Sequence, residues 1–118
     1  MPYTAIVLTE SDGKLCAARA RALGFQWERT HCHHVTLAMG AAAGFTIGER
    51  RVFTVTHAGS IEGRVCAFRV SGADDSRNAI PHVTIGASGE GRPKDSNGIE
   101  NWEAIEPFQI GGTVEICE

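Results

Sequence analysis

No apolar run in this 118-residue chain approaches the ~20 residues needed to cross a bilayer. Its first residues also lack a basic stretch followed by an apolar signal core. The expectation is a cytoplasmic protein without membrane contact. No Cys-x-x-Cys and no His-x-x-x-His pair occurs, so the usual ligand spacings of zinc sites are missing. Neither a Gly-Lys-Ser/Thr phosphate loop nor the glycine spacing of a dinucleotide fingerprint is present. Basic residues are absent beyond Lys94, and Asp95, Glu100, Glu103, Glu106, Glu115 and Glu118 make the end acidic. The net charge of −3 argues against a protein that coats long nucleic acid, which requires many phosphates to be neutralised. Nine of the eleven basic residues are arginines, suited to bidentate phosphate contacts, so a small phosphate ligand or a nucleic-acid end stays open.

What is present fits one domain spanning residues 1–118, long enough for a real core and too short for two independent ones. Cys16, Cys32, Cys66 and Cys117 have no paired spacing and read as free thiols. Tyr3 to Thr9 is a β-branched and aliphatic run that predicts a buried strand. Thr9 or Ser11 can cap a helix over Asp12 to Leu23, which Gly24 stops. Phe25 and Trp27 then pack the connection onto the sheet. Gly40 to Gly48 is a small-residue loop containing Ala41, Ala42 and Ala43. Arg51 to His57 and Arg64 to Val70 alternate as strands, with Gly59 to Gly63 as a hairpin turn between them. Ser71 to Asn78 is a polar loop with room for a short helical turn, and Ser88 to Lys94 is a glycine-rich one. Ser96 can cap a short helix running to about Trp102. Phe108 to Cys117 closes the chain as a strand, with a bulge or bend at Gly111-Gly112. Strands outnumber helices and no regular βαβ alternation appears, so the class is α+β with mainly antiparallel sheet.

A short pattern recurs. His34-Val35-Thr36-Leu37 returns as His82-Val83-Thr84-Ile85. In a strand, His34 and Thr36 share one face while Val35 and Leu37 fill the other, and the second copy divides in the same way. Either copy alone also fits an exposed polar strand face; the recurrence is what points to a site. His31-Cys32-His33-His34 invites a metal, but alternation lets at most two of the four share one ion. The same alternation turns His33 away from the His34 face. His57 stands at a strand end without a Thr two residues on, and reads as structural or surface.

The two motifs resemble the signature of the two-histidine (2H) phosphoesterases, the LigT-like superfamily. More closely, Tyr3 to Thr9 before a helix, His34 to Leu37 before a glycine loop, and Asn78 to Ile85 before Arg92-Pro-Lys-Asp-Ser-Asn97 look like the Swiss Army Knife RNA repair-like 2H domains. The resemblance covers nearly the whole chain, although only 48 positions separate the motifs, which leaves little room for insertions (His34 to His82). It implies a bilobal α+β fold with a central cleft, each lobe contributing one His-x-Thr strand. It also implies a metal-independent phosphodiesterase acting on a 2′,3′-cyclic phosphate of a nucleotide or RNA end, a monomer without a cofactor. Such chemistry needs one group to accept a proton and one to donate it, which two imidazoles suit near neutral pH. On this reading His34 and His82 are acid and base, and the Thr36 and Thr84 hydroxyls bind the developing charge. Lys94, Ser96 and Asn97 follow the second motif and are candidates for contacting the substrate, although Ser96 is equally placed to cap a helix. The alternative is a module that binds a nucleotide or RNA end without turning it over.

Overall fold

Alternating strand sequences that cannot bury their apolar faces alone must find partners, and here six of them close into a ring. The computed structural model describes residues 2–40 and 44–118, so Ala41, Ala42 and Ala43 of the small-residue loop lie outside the described residues. In chain order the elements are β1 (Tyr3–Leu8), α1 (Glu10–Ala22), β2 (Arg29–Thr30), β3 (His34–Met39), β4 (Arg50–Ile61), β5 (Val65–Ser71) and β6 (His82–Ala87). A 3₁₀ helix (Pro93–Gly98) and β7 (Glu103–Cys117) follow. The strands pair antiparallel in the order β6-β3-β1-β7-β4-β5, and β5 pairs back onto β6. The result is a closed six-stranded barrel. The short β2 lies on the same edge of β6 as β3, further along.

The closed ring corrects the bilobal architecture with a cleft between two lobes. There is one continuous wall, and its interior is one apolar cluster to which every barrel strand contributes. Ile6, Val35, Val55, Phe68, Val83 and Ile110, one from each strand, are all at most 1% exposed. Register shifts at Thr4/Ala5, Val55/His57 and Cys66/Ala67 mark irregularities of the kind that bend strands around a small barrel.

α1 begins two residues earlier than the sequence predicts, because Thr9 is the cap and its hydroxyl accepts from the Asp12 N–H at 3.2 Å. The helix buries Cys16, Ala17 and Ala20 against the same core. Its approach is close: a Cβ at Gly13 would stand 2.8 Å from the Cys32 carbonyl oxygen. β4 runs through the expected hairpin turn to Ile61, and Gly63, with φ +74, makes the actual turn. Gly59 is a strand residue paired with Ala67, and its missing Cβ makes room for Ile99 and Trp102, which would stand 2.6 and 2.9 Å from it. The helix expected after Ser96 is instead the 3₁₀ turn begun by Pro93, and β7 starts at Glu103. Gly111-Gly112 carries no register shift.

Candidate functional site

In β3, Val35 and Leu37 point into the barrel, so His34 and Thr36 point outward; in β6, Val83 and Ile85 point in, so His82 and Thr84 point outward. Val35 is in register with Val83, which sets the two copies side by side on adjacent antiparallel strands. Their polar residues therefore meet on the outer wall, in a cavity of about 330 Å³. β1 adds Tyr3, whose ring centroid is 5.0 Å from that of His34. The loop before β6 adds Asn78, and the 3₁₀ helix adds Pro93, Lys94 and Asn97. His31, His33 and Met39 complete the lining.

His33 departs from simple alternation. Cys32 has φ 48, a left-handed conformation uncommon for a residue with a Cβ. That kink interrupts the strand, while the His31 and Cys32 N–H groups stay bonded to the Ile85 and Thr84 carbonyls at 2.8 and 2.9 Å. His33 consequently lines the same cavity as His34, with 3.0 Å between the two Nδ1 atoms. One of those nitrogens must donate and the other accept, so the pair shares one proton.

The electrostatics follow from crowding imidazoles on a half-buried wall. Burial, and then the neighbouring charges of His33, His82 and His31, push His34 down to about 4. Burial also lowers His82, opposed by its hydrogen bond to Ile80. The Ile80 carbonyl can only accept, so His82 Nδ1 carries the proton over 2.8 Å and the neutral ring keeps its lone pair on Nε2. His31 is lowered by burial and by Arg29. Among the described residues lining the cavity there is no carboxylate.

Of the residues singled out by sequence, His34, Thr36, His82, Thr84, Lys94 and Asn97 line this cavity, and Ser96 does not. Ser96 is 1% exposed, and its hydroxyl lies 2.8 Å from Thr84 Oγ1, which also donates to the Pro93 carbonyl at 3.3 Å. This contact ties the 3₁₀ helix to β6. Asn97 Nδ2 donates to the Lys94 carbonyl at 3.1 Å, bracing the turn that carries Lys94. Tyr3 and Asn78 were not singled out, and His31 and His33 were weighed only as metal ligands; a strand start, a loop residue and two residues beside a backbone kink have no periodic signal. His57 sits away from the cavity with its Nδ1 2.8 Å from Thr56 Oγ1. Among the described residues, no three His, Cys, Asp or Glu side chains gather as a metal would need.

Comparison with protein-family models, with curated proteins and with solved structures gives no match for this chain. The likeness to the 2H phosphoesterases is accordingly corrected: the short motifs occur, but on a closed barrel rather than on two lobes facing a cleft. The assignment as a metal-independent cyclic phosphodiesterase, with its RNA-repair role, falls with it. The outer wall of a barrel has no opposite lobe to hold a leaving group in line. His34, titrating at about 4, is protonated in only about one molecule in a thousand at pH 7 and is a poor proton donor in the free protein.

Proposed function

We propose that this cavity is a binding site for a small phosphate-bearing ligand, a nucleotide or the phosphorylated end of an RNA, held without turnover. The observation that carries this reading is a lining free of carboxylates, in which the Lys94 ammonium, the Thr36 hydroxyl and the Asn78 and Asn97 amides surround one concavity together with four imidazoles able to take up protons. Lys94 supplies the standing positive charge, and the amide and hydroxyl donors fit non-bridging phosphate oxygens. An anion beside the imidazoles favours their charged forms against the burial that lowers them, and against the repulsion that adds to it at His34, so binding draws protons onto the cluster. The volume of about 330 Å³ is at the lower end of small-molecule sites. It suits a phosphate and its immediate attachment rather than a whole oligonucleotide.

The test is an amide-shift titration of labelled protein with adenosine 3′-monophosphate and with adenosine, alongside phosphorus NMR of the nucleotide. Saturable shifts over residues 34–37 and 82–84 with the monophosphate alone, and an unchanged nucleotide, are expected. Lys94→Ala weakens that binding by roughly tenfold through loss of the fixed charge. Equal shifts with adenosine, or none with either compound, would rule the phosphate site out.

A further inference from the structure

Beside the cavity lies a second concavity lined by Arg29, Arg64, Arg92, His31 and the loop over Gly89 to Gly91. His31 and Pro93 line both spaces, so the two adjoin. We infer that the ligand is the end of a single-stranded nucleic acid, its terminal phosphate in the cavity and its next backbone phosphate on this arginine shelf. The inference rests on the phosphate-site reading above and extends it to a strand.

The shelf is built rather than accidental. Arg29 Nη2 donates to the Gly89 and Gly91 carbonyls at 3.1 and 2.9 Å, which clamps the glycine loop beside β2. Gly91 presses on the start of β5 so closely that a Cβ there would stand 2.0 Å from the Arg64 carbonyl oxygen. Arg64 Nη2 donates to Asp95 Oδ2 at 3.0 Å, and Asp95 also accepts the Arg92 N–H at 2.9 Å. Asp95 and Glu28 thus orient the shelf without lining it, and Glu90 is the one carboxylate among its described lining residues. Each guanidinium has five N–H donors and these contacts use only part of them, leaving fork geometry for a phosphate. Lys94, next to Pro93, continues the positive charge into the cavity. In a chain of net charge −3, four of eleven basic residues border these two adjoining concavities against the three carboxylates Glu28, Glu90 and Asp95, a local excess of positive charge that favours an anion there.

The experiment measures, by calorimetry at fixed salt, the affinity for adenosine 3′-monophosphate, for tetra-adenylate RNA phosphorylated at either end, and for ATP. A tetranucleotide binding roughly tenfold tighter than the monophosphate is expected. That ratio falls toward one in Arg64→Gln/Arg92→Gln. Where this double variant does not fold, the salt dependence of the unaltered protein decides: the log-log slope steepens by about 0.7 for each added phosphate contact on a single strand. A monophosphate that binds as tightly as the tetranucleotide, with the same salt slope, refutes the shelf and leaves the cavity reading standing. Binding of neither refutes both. ATP matching the tetranucleotide assigns the gain to charge alone and overturns the strand.

Discussion

At the scale of single residues, His34 concentrates the physics of the site. It is half-buried, touches Tyr3, shares a proton with His33 and stands near two further imidazoles. A proton-by-pH NMR titration should find its ring resonance moving near pH 4, well below an ordinary imidazole, and moving at higher pH once sulfate is added. A midpoint near 6.5 without sulfate would contradict the burial that places it on this wall. Stability follows by linkage. The folded protein holds His34 and His82 less protonated than the unfolded chain does, so their contribution is complete above the unfolded value near 6.5 and is lost as pH falls below it, down to about 4 for His34. With solvent screening, the loss attributable to His34 is about 2 kcal/mol. Urea unfolding at pH 7.5 and pH 5 captures somewhat more than half of it, and His34→Asn should flatten the dependence. These residues were legible as a recurring His-x-Thr pair, whereas His33 was not. Its placement depends on the left-handed Cys32, a choice made by backbone bonds to β6 rather than by any local preference.

At the scale of elements, the strands and the helix were legible in outline because their apolar periods are local. Their ends were not. β4 and β7 run longer than their alternating cores because β4 stays paired with β7 from Arg50 to Ala58 and with β5 as far as Ile61, and a paired strand retains glycines that a sequence reading assigns to turns. Gly59 and Gly112 are close-approach positions. A Cβ at Gly112 would stand 2.0 Å from the Val7 carbonyl oxygen and 2.9 Å from Leu8 Cα, and both are backbone atoms that no side-chain rotation moves aside. Gly112→Ala is therefore expected to destabilise by more than about 3 kcal/mol, as forced overpacking against backbone does. Gly98→Ala, whose Cβ would have its nearest neighbour at 3.6 Å, is the matched control and should unfold at nearly the unaltered urea concentration. Similar midpoints for the two variants would show that β1 and β7 pack less closely than described.

At the scale of the whole molecule, closure decides what the site is. The seam between β3 and β6 is the shortest pairing in the ring, with one registered pair, Val35 and Val83, and two flanking backbone bonds from His31 and Cys32. The β4–β7 pairing, by contrast, extends from Arg50 to Ala58. Hydrogen exchange should find amides of residues 34–37 on the β6 side opening before those of Phe53 and Ile110, since local opening follows the weakest cooperative contacts. Slower exchange at the seam than in β4 would overturn that order. The cavity sits on this seam, so a ligand that bridges His34 and His82 should slow its exchange.

The amino-acid sequence by itself determined which side chains alternate together: His34 with Thr36, His82 with Thr84, and the apolar residues between them, because a strand's period of two is a property of its own backbone. It also determined that the chain has no helix-length apolar segment, and among the described residues no helix is long and apolar enough to cross a membrane. Only the tertiary structure decided that the apolar faces close on each other, that the polar faces are left on the outer wall of a barrel, and that the loop carrying Asn78 and the 3₁₀ turn carrying Lys94 complete a cavity there. The reason is that closure depends on which distant strands pair and in what register. Two identical local patterns can line a cleft between lobes or the outside of a ring without a single residue changing.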